Sequence, residues 1–259
     1  MSNLEQADAP PAALERAAVV FSTGAATHKG LVRSHNEDRF FVDPGIGAWA
    51  VADGVGGHEG GQFASSTVVD ALKSIGTPVS AADLLARFED RVVRANAILR
   101  QAGRDRGGAI VGTTIAGILI CDGYFACLWS GDSRVYLVRD KVIKQISRDH
   151  SAVQEMVDRG LLTPDEARRW PGKNVITRAL GIDDEPVLDL EQGALINGDI
   201  FVICSDGLTN HVEDHEIGQH AASAAAQAAC DGLVALTLER GASDNVTVVV
   251  VHCSTAAAV

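Results

Sequence analysis

No apolar run in this 259-residue chain approaches the roughly 18–20 residues needed to cross a bilayer. Positive charge is also scarce: 22 Lys and Arg stand against 34 Asp and Glu, a formal net charge of −12. The first shortage argues against a membrane span. The second argues against nonspecific nucleic-acid binding, which rests on neutralising phosphates with Lys and Arg. The five cysteines (121, 127, 204, 230 and 253) include no Cys-x-x-Cys pair, are odd in number and sit mostly in apolar runs. They read as buried thiols in a reducing cytoplasm. The first residues show no charged-then-apolar signal pattern, so the expected location is cytoplasmic.

What is present is a 46% hydrophobic composition, enough for one large domain with a substantial core. Residues 1–18, rich in Ala, Pro and Glu, read as a loose leader before a domain spanning 19–254, with 255–259 as a short tail. Strand-like runs occur at Arg39–Val42, Ala48–Ala52, Thr113–Cys121, Tyr124–Ser130, Val135–Arg139, Ile200–Cys204 and Val246–His252. Helices are expected at Gly60–Ile75 and Ala81–Arg104, the latter with Leu85, Phe88, Val92, Ala95 and Leu99 on one stripe. Smaller ones are expected at Ser151–Arg159, Pro164–Arg169 and Glu213–Glu239. Short turns such as Asp122-Gly123 imply mostly antiparallel pairing. The expected architecture is α/β of the α+β kind: two sheets with helices outside.

The stretch VADGVGGHEGG (51–61) ends an apolar run with one aspartate and then five glycines. It lacks the lysine of a phosphate-binding Walker loop, and Glu59 stands where a dinucleotide fingerprint needs its third glycine. The aspartate therefore carries part of the meaning. Asp38 and Asp53 sit at meeting ends of a hairpin, and Asp132, Asp206 and Asp244 also stand at strand ends. One such aspartate is ordinary turn chemistry. Five at mutually consistent ends repel one another unless a cation lies between them. Oxygen ligands without a His/Cys set select Mg²⁺ or Mn²⁺ over zinc, and two such ions can activate water for attack on phosphorus. Gly54 leaves its carbonyl free to turn toward a metal. Arg33, five residues before Asp38, suits a phosphate clamp; the alternative is a solvated surface arginine.

The ordered set GLVRSHNEDRF (30–40), VADGVGGHEGG, GTT (112–114), SGDSRVYL (130–137), RDHS (148–151), NVITRALG (174–181), CSDGL (204–208) and SDNVTVVV (243–250) resembles the bacterial metal-dependent protein phosphatases of the type 2C (PPM) class. The resemblance covers about Ser22 to Cys253. It implies a four-layer α-β-β-α sandwich with a two-metal Mn²⁺ or Mg²⁺ centre and a flap subdomain at about 150–178. It also implies hydrolysis of phosphoserine and phosphothreonine on protein substrates, opposing a Ser/Thr kinase in signalling or secretion control. It places metal ligands at Asp38, Asp53, Gly54, Asp206 and Asp244, a phosphate contact at Arg33, and a third, weaker ion at Asp132 with Asp206. Glu37 would act through water.

Two departures stand out: His28-Lys29-Gly30 replaces the family's usual aspartate before the first glycine, and no histidine occurs between 151 and 210, where Trp170 stands in the flap. Neither touches the metal ligands; the second bears on substrate choice. His58 is a candidate general acid, with a loop-ordering role as the alternative. His150 reads as structural, and His211, His215 and His220 as surface residues. A cysteine phosphatase fails on spacing, because six residues rather than five separate Cys127 from Arg134. A catalytically weak phosphoprotein-sensing or scaffold protein of the same fold is the nonenzymatic alternative.

Overall fold

The run Val246-Thr-Val-Val-Val-Val has a branched side chain at every position, so the strand it forms must be covered on both faces. The computed structural model, which describes residues 19–56, 58–172 and 174–255, shows how. The elements run β1 (Val19–His28), β2 (Asp38–Asp43), β3 (Ala48–Val55), α1 (His58–Leu72), α2 (Ala81–Asp105), β4 (Gly112–Thr113), β5 (Ile115–Cys121), β6 (Tyr124–Ser130), β7 (Arg134–Arg139) and β8 (Val142–Gln145). Then follow α3 (Ala152–Asp158), α4 (Pro164–Arg168), β9 (Asp189–Ala194), β10 (Ile200–Cys204), α5 (Asp206–Thr209), α6 (Asp214–Ser223), α7 (Ala226–Glu239) and β11 (Val246–Thr255). One sheet has the order β1-β11-β10-β7-β8 and the other β2-β3-β5-β6-β9, with β4 pairing β3. Every pairing is antiparallel.

Three apolar layers separate the four structural ones. Val249, Val251 and Cys253 of β11 meet Trp49, Val51, Ile118 and Trp129 of the opposite sheet in the central layer. The alternate residues Val246, Val248 and Val250 pack instead against Leu233, Ala229 and Ile217 of α6 and α7. On the other outer face Ala48, Ala50 and Ala52 of β3 lie under Val68 and Leu72 of α1 and Phe88 and Val92 of α2. The expected sandwich is therefore the observed one. Small alanines on β3 let α1 and α2 sit close.

Several expectations need correction. The α2 stripe is fully buried at Leu84 rather than at Leu85, which is only partly buried. The expected helix Glu213–Glu239 is two helices broken at Ala224 and Ala225. Nothing in that alanine-rich stretch breaks a helix by itself; tertiary packing does it. A methyl on Gly24 of β1 would overlap the Ala226 backbone, and Gln227 both accepts from Ala25 N (3.1 Å) and donates to Ala25 O (3.1 Å). The start of α7 is thus set by its docking on β1. Strands β1, β8 and β9 were not expected. β9 is an edge strand of mostly exposed polar residues, and the β7–β8 hairpin turns through Asp140 and Lys141 at φ 51° and 63° without a glycine to mark it. Residue 255 ends β11 opposite Val19 rather than starting a tail. The leader 1–18 and residues 256–259 lie outside the described residues.

Candidate metal centre

Hairpin register places Asp38 directly opposite Asp53, where β2 begins and β3 runs toward α1. Asp38 is fully buried; Ser205 Oγ donates to its Oδ2 at 2.7 Å, and its Oδ1 has no hydrogen-bond partner among the described residues. Burial pushes its carboxyl up to about 7, against the hydrogen bonds from Ser205 and Thr247 and helped by the charges of Asp206 and Asp244. Asp53 is raised well above the ordinary carboxylate range, first by burial and then by Asp38, Asp206, Asp132 and Asp244. Asp132 is pushed up to about 8 by burial, then by Asp206 and Asp149. The five aspartates thus act on one another, as their strand-end positions imply.

Each is held by named neighbours. Thr114 Oγ1 accepts from Asp53 N (3.1 Å), Thr113 Oγ1 donates to Asp53 O (2.8 Å), and Thr114 and Ser133 share a hydroxyl contact at 2.7 Å beside Asp132. That is the purpose of GTT. Asn210 donates to Asp206 Oδ2 at 3.1 Å. Asn245 N donates to Asp244 Oδ1 (2.8 Å), while its amide ties down Lys29 O and His35 O (2.9 Å each) and accepts from Glu37 N (2.8 Å). One asparagine therefore clamps the 29–37 loop onto the start of β11.

Gly54 and Gly61 are explained by crowding. A methyl on Gly54 would overlap the Gly61 carbonyl, and a methyl on Gly61 would overlap the Glu37 carboxylate. Strand end, helix start and Glu37 meet where no side chain fits.

Asp53, Asp132, Asp206 and Asp244 line a cavity of about 360 Å³ together with Arg33 and Glu37; Asp38 is buried beside Asp53 and does not line it. Arg33 is exposed over about half of its side chain, and its Nη2 lies 2.7 Å from Asp244 Oδ2, a bond that is the main cause of its raised pKa. Gly54 also lines the cavity. His58 opens α1, but its side chain lies outside the described residues.

Among the described residues no histidine, cysteine and acidic side chains form a closed ligand set of three or more. The donors are instead carboxylates around an open cavity, with one buried acceptor beside it lacking a donor among the described residues; His35 also lines the cavity, its Nδ1 2.9 Å from Ser34 Oγ. That set fits hard divalent cations rather than zinc.

Sequence reasoning missed several supports. Ser205 and Thr247 soften the burial of Asp38. His211, read as a surface residue, accepts from Ser243 N at 3.1 Å and so braces the residue before Asp244; no motif signals it. His150 is structural as expected: it accepts from Gly131 N (3.2 Å), contacts Asp189 (3.2 Å) and stacks on Trp129, and burial lowers its pKa. Cys127 is buried and its thiol is raised by that burial, which removes it as a nucleophile. Trp170 follows α4 and is exposed, outside the cavity lining.

A family model described as protein phosphatase 2C matches residues 28–235. The serine/threonine protein phosphatase PstP of Mycobacterium tuberculosis is 38% identical over 240 residues, covering 92% of this chain and 46% of the relative, so the chain spans about half the length of that protein. Among solved structures, PppA of Pseudomonas aeruginosa, described as a key regulatory component of T6SS, superposes with a TM-score of 0.84 at 35% identity, covering 91% of this chain and all of that one. The PstP catalytic domain in complex with 2 manganese ions gives 0.82 at 34% identity, covering 92% and 100%.

Proposed function

The chain belongs to the protein phosphatase 2C family, and on that footing we propose that it hydrolyses phosphoserine and phosphothreonine on proteins with the help of Mn²⁺ or Mg²⁺. The observation that carries the reading is the gathering of five aspartates, one of them with a buried oxygen that no donor among the described residues reaches. Asp38, Asp53, Asp206 and Asp244, with the Gly54 carbonyl, would hold two ions, and Asp132 with Asp206 a third. When bound, the ions supply a nucleophile at neutral pH and Lewis acidity at phosphorus.

The chain's own residues do the rest. Arg33, on the cavity wall, orients the phosphoryl oxygens through its planar fork. Thr113 and Thr114 hold the Asp53 backbone in place, and Asn245 holds the Arg33 loop against Asp244. Water adds OH to phosphorus and releases its other proton to solvent, the P–O ester bond breaks, and the serine or threonine oxygen leaves with a proton from His58, the candidate donor, which solvent then reprotonates.

The substrates are phosphoproteins, and a Ser/Thr kinase acting on the same targets is the proposed counterpart, in bacterial signalling or secretion control. No described helix is long and apolar enough to cross a membrane, and a cytoplasmic location is proposed with the kinase. Turnover of an aryl phosphate and a phosphothreonine peptide, measured after chelation and after adding back Mn²⁺, Mg²⁺ or Zn²⁺, tests the reading. Activity should be absent without metal and restored far better by Mn²⁺ or Mg²⁺. No turnover under any metal would favour the scaffold alternative, and full activity after exhaustive chelation would remove the metal assignment.

A further inference from the structure

Asn96 interrupts the apolar stripe of α2. It is 1% exposed and follows Val92 and Ala95 and precedes Leu99, all three of them in the buried core. A buried amide must find partners, and this one finds three on a single loop. Its Oδ1 accepts from Gly181 N at 2.6 Å, and its Nδ2 donates to Asp183 O (3.0 Å) and Asp184 O (3.2 Å). One turn on, Arg100 reaches Ile182 O and the Asp184 carboxylate. The 181–184 loop is thereby fastened to α2.

That loop continues directly from Leu180, which is fully buried and exchanges two main-chain bonds with Thr113: Thr113 N donates to Leu180 O at 3.1 Å, and Leu180 N to Thr113 O at 2.9 Å. The fit is tight, since a methyl on Gly181 would overlap the Val111 carbonyl. Thr113 in turn pairs with Gly54 across β4 and β3, and its hydroxyl and Thr114 N both donate to Asp53 O at 2.8 Å. A continuous path of main chain and hydrogen bonds therefore leads from Asn96, outside the cavity lining, to Asp53 and Gly54, which line it.

Resting on the phosphatase reading, we propose that Asn96 is a positioning residue for the metal centre: by anchoring the 181–184 loop it fixes the Leu180–Thr113 bridge, and the bridge fixes the main chain of Asp53 and Gly54. Metal ligands must be held to a fraction of an ångström. Yet the strand that pairs with Gly54 on this side, β4, is only two residues long. So short a strand keeps its place only if something else holds it, and the Leu180 bridge tied to α2 is that hold. An amide that served packing alone could give way to an apolar side chain without disturbing the cavity. A positioning amide cannot.

The test compares Asn96→Leu and Asn96→Ala with Val92→Ala, a cut in the same buried stripe that removes no side-chain hydrogen bond, in the full-length protein well below every variant's Tm. Leucine fills the site and alanine leaves space, so an effect common to both belongs to the lost bonds, and either variant carries the test if the other fails to fold. Residues 182–184 are exposed, so water can replace the lost partners and the fold survives. In metal-free protein, hydrogen exchange should quicken about tenfold in peptides spanning 111–116 and 177–184 for the Asn96 variants, with β11 unmoved, and not for Val92→Ala. The calorimetric Kd for Mn²⁺ should weaken about three- to tenfold in the Asn96 variants, less than for loss of a partner that touches a ligand side chain, and stay at the wild-type value in Val92→Ala. Unchanged exchange at 111–116, an unchanged Kd, or the same changes in Val92→Ala overturns the assignment. If wild type binds no Mn²⁺, the phosphatase reading falls instead, and exchange at 111–116 alone decides for or against Asn96.

Discussion

Replacing Asp38 by Asn should make the metal-free protein more stable while destroying its function. The ordinary aspartate value of 3.8 rises to about 7 at Asp38, chiefly because the group is wholly buried. The folded state therefore holds this proton more tightly than the unfolded chain does. Its contribution to stability is undiminished below about pH 4 and is lost progressively as pH rises from there through about 7. At pH 8 the loss is about 3 units, or on the order of 4 kcal/mol. At pH 5 it is about 1–2 kcal/mol, because only the unfolded chain has ionised. Asparagine has nearly the same shape and can still accept from Ser205, but never ionises. Asp38→Asn should therefore raise the Tm of the metal-free protein at pH 8 by roughly 8–15 °C, and by clearly less at pH 5. Adding Mn²⁺ should raise the wild-type Tm and leave the variant nearly unmoved, because the variant lacks a ligand. Thermal unfolding at two pH values, with and without Mn²⁺, reads all four corners. A Tm gap equal at both pH values, or a variant less stable at pH 8, would refute the reasoning.

Gly61→Ala sets helix propensity against crowding: the propensity gain of about 1 kcal/mol should lose to overlap with Glu37 and Gly54, for a net loss of about 1–2 kcal/mol in urea unfolding. A stabilised variant would show that the strand end and α1 have room. Arg33→Gln removes the cationic partner of Asp244, a partly exposed ion pair worth about 0.5–1 kcal/mol. The Mn²⁺ dissociation constant by calorimetry should then fall about two- to fivefold, whereas weaker binding would mean that Arg33 positions Asp244 as a ligand. Asp53→Ala should lower Mn²⁺-dependent kcat by about 10³-fold or more, and Asp132→Ala by much less, since a carboxylate proposed to hold the two core ions would count for more than one proposed for the third. Equal mild losses in steady-state kinetics would reverse that ranking.

The parts of this fold that could be read from residues are those where one physical demand dominates. Buried strands such as Ile200–Cys204 and Tyr124–Ser130 appear as continuous apolar runs, and their limits agree with the structure. β8 and β9 escaped because edge strands need not be apolar, and because the β7–β8 turn through Asp140 and Lys141 carries no glycine while β9 pairs with the distant β6. The break before α7 escaped for the same reason: Ala224 and Ala225 favour helix, and Gln227 docking on Ala25 overrides them. At the site, strand-end aspartates and GTT were legible because hairpin geometry converts sequence distance into proximity. The pairing of Arg33 with Asp244, 211 residues apart, and the brace from His211 to Ser243 were not, because a polar side chain on a loop can reach many partners.

Among the described residues strand β1 ends its sheet, and a ten-residue outer edge of this kind would be a template for another chain. Gln227 occupies that edge at Ala25 with both halves of its amide, one hydrogen bond in each direction, as a neighbouring strand would. A second molecule seeking to extend the sheet there meets groups already taken, together with the bulk of α7. The same glutamine that docks the start of α7 on β1 therefore also blocks, at Ala25, the joining of copies edge to edge.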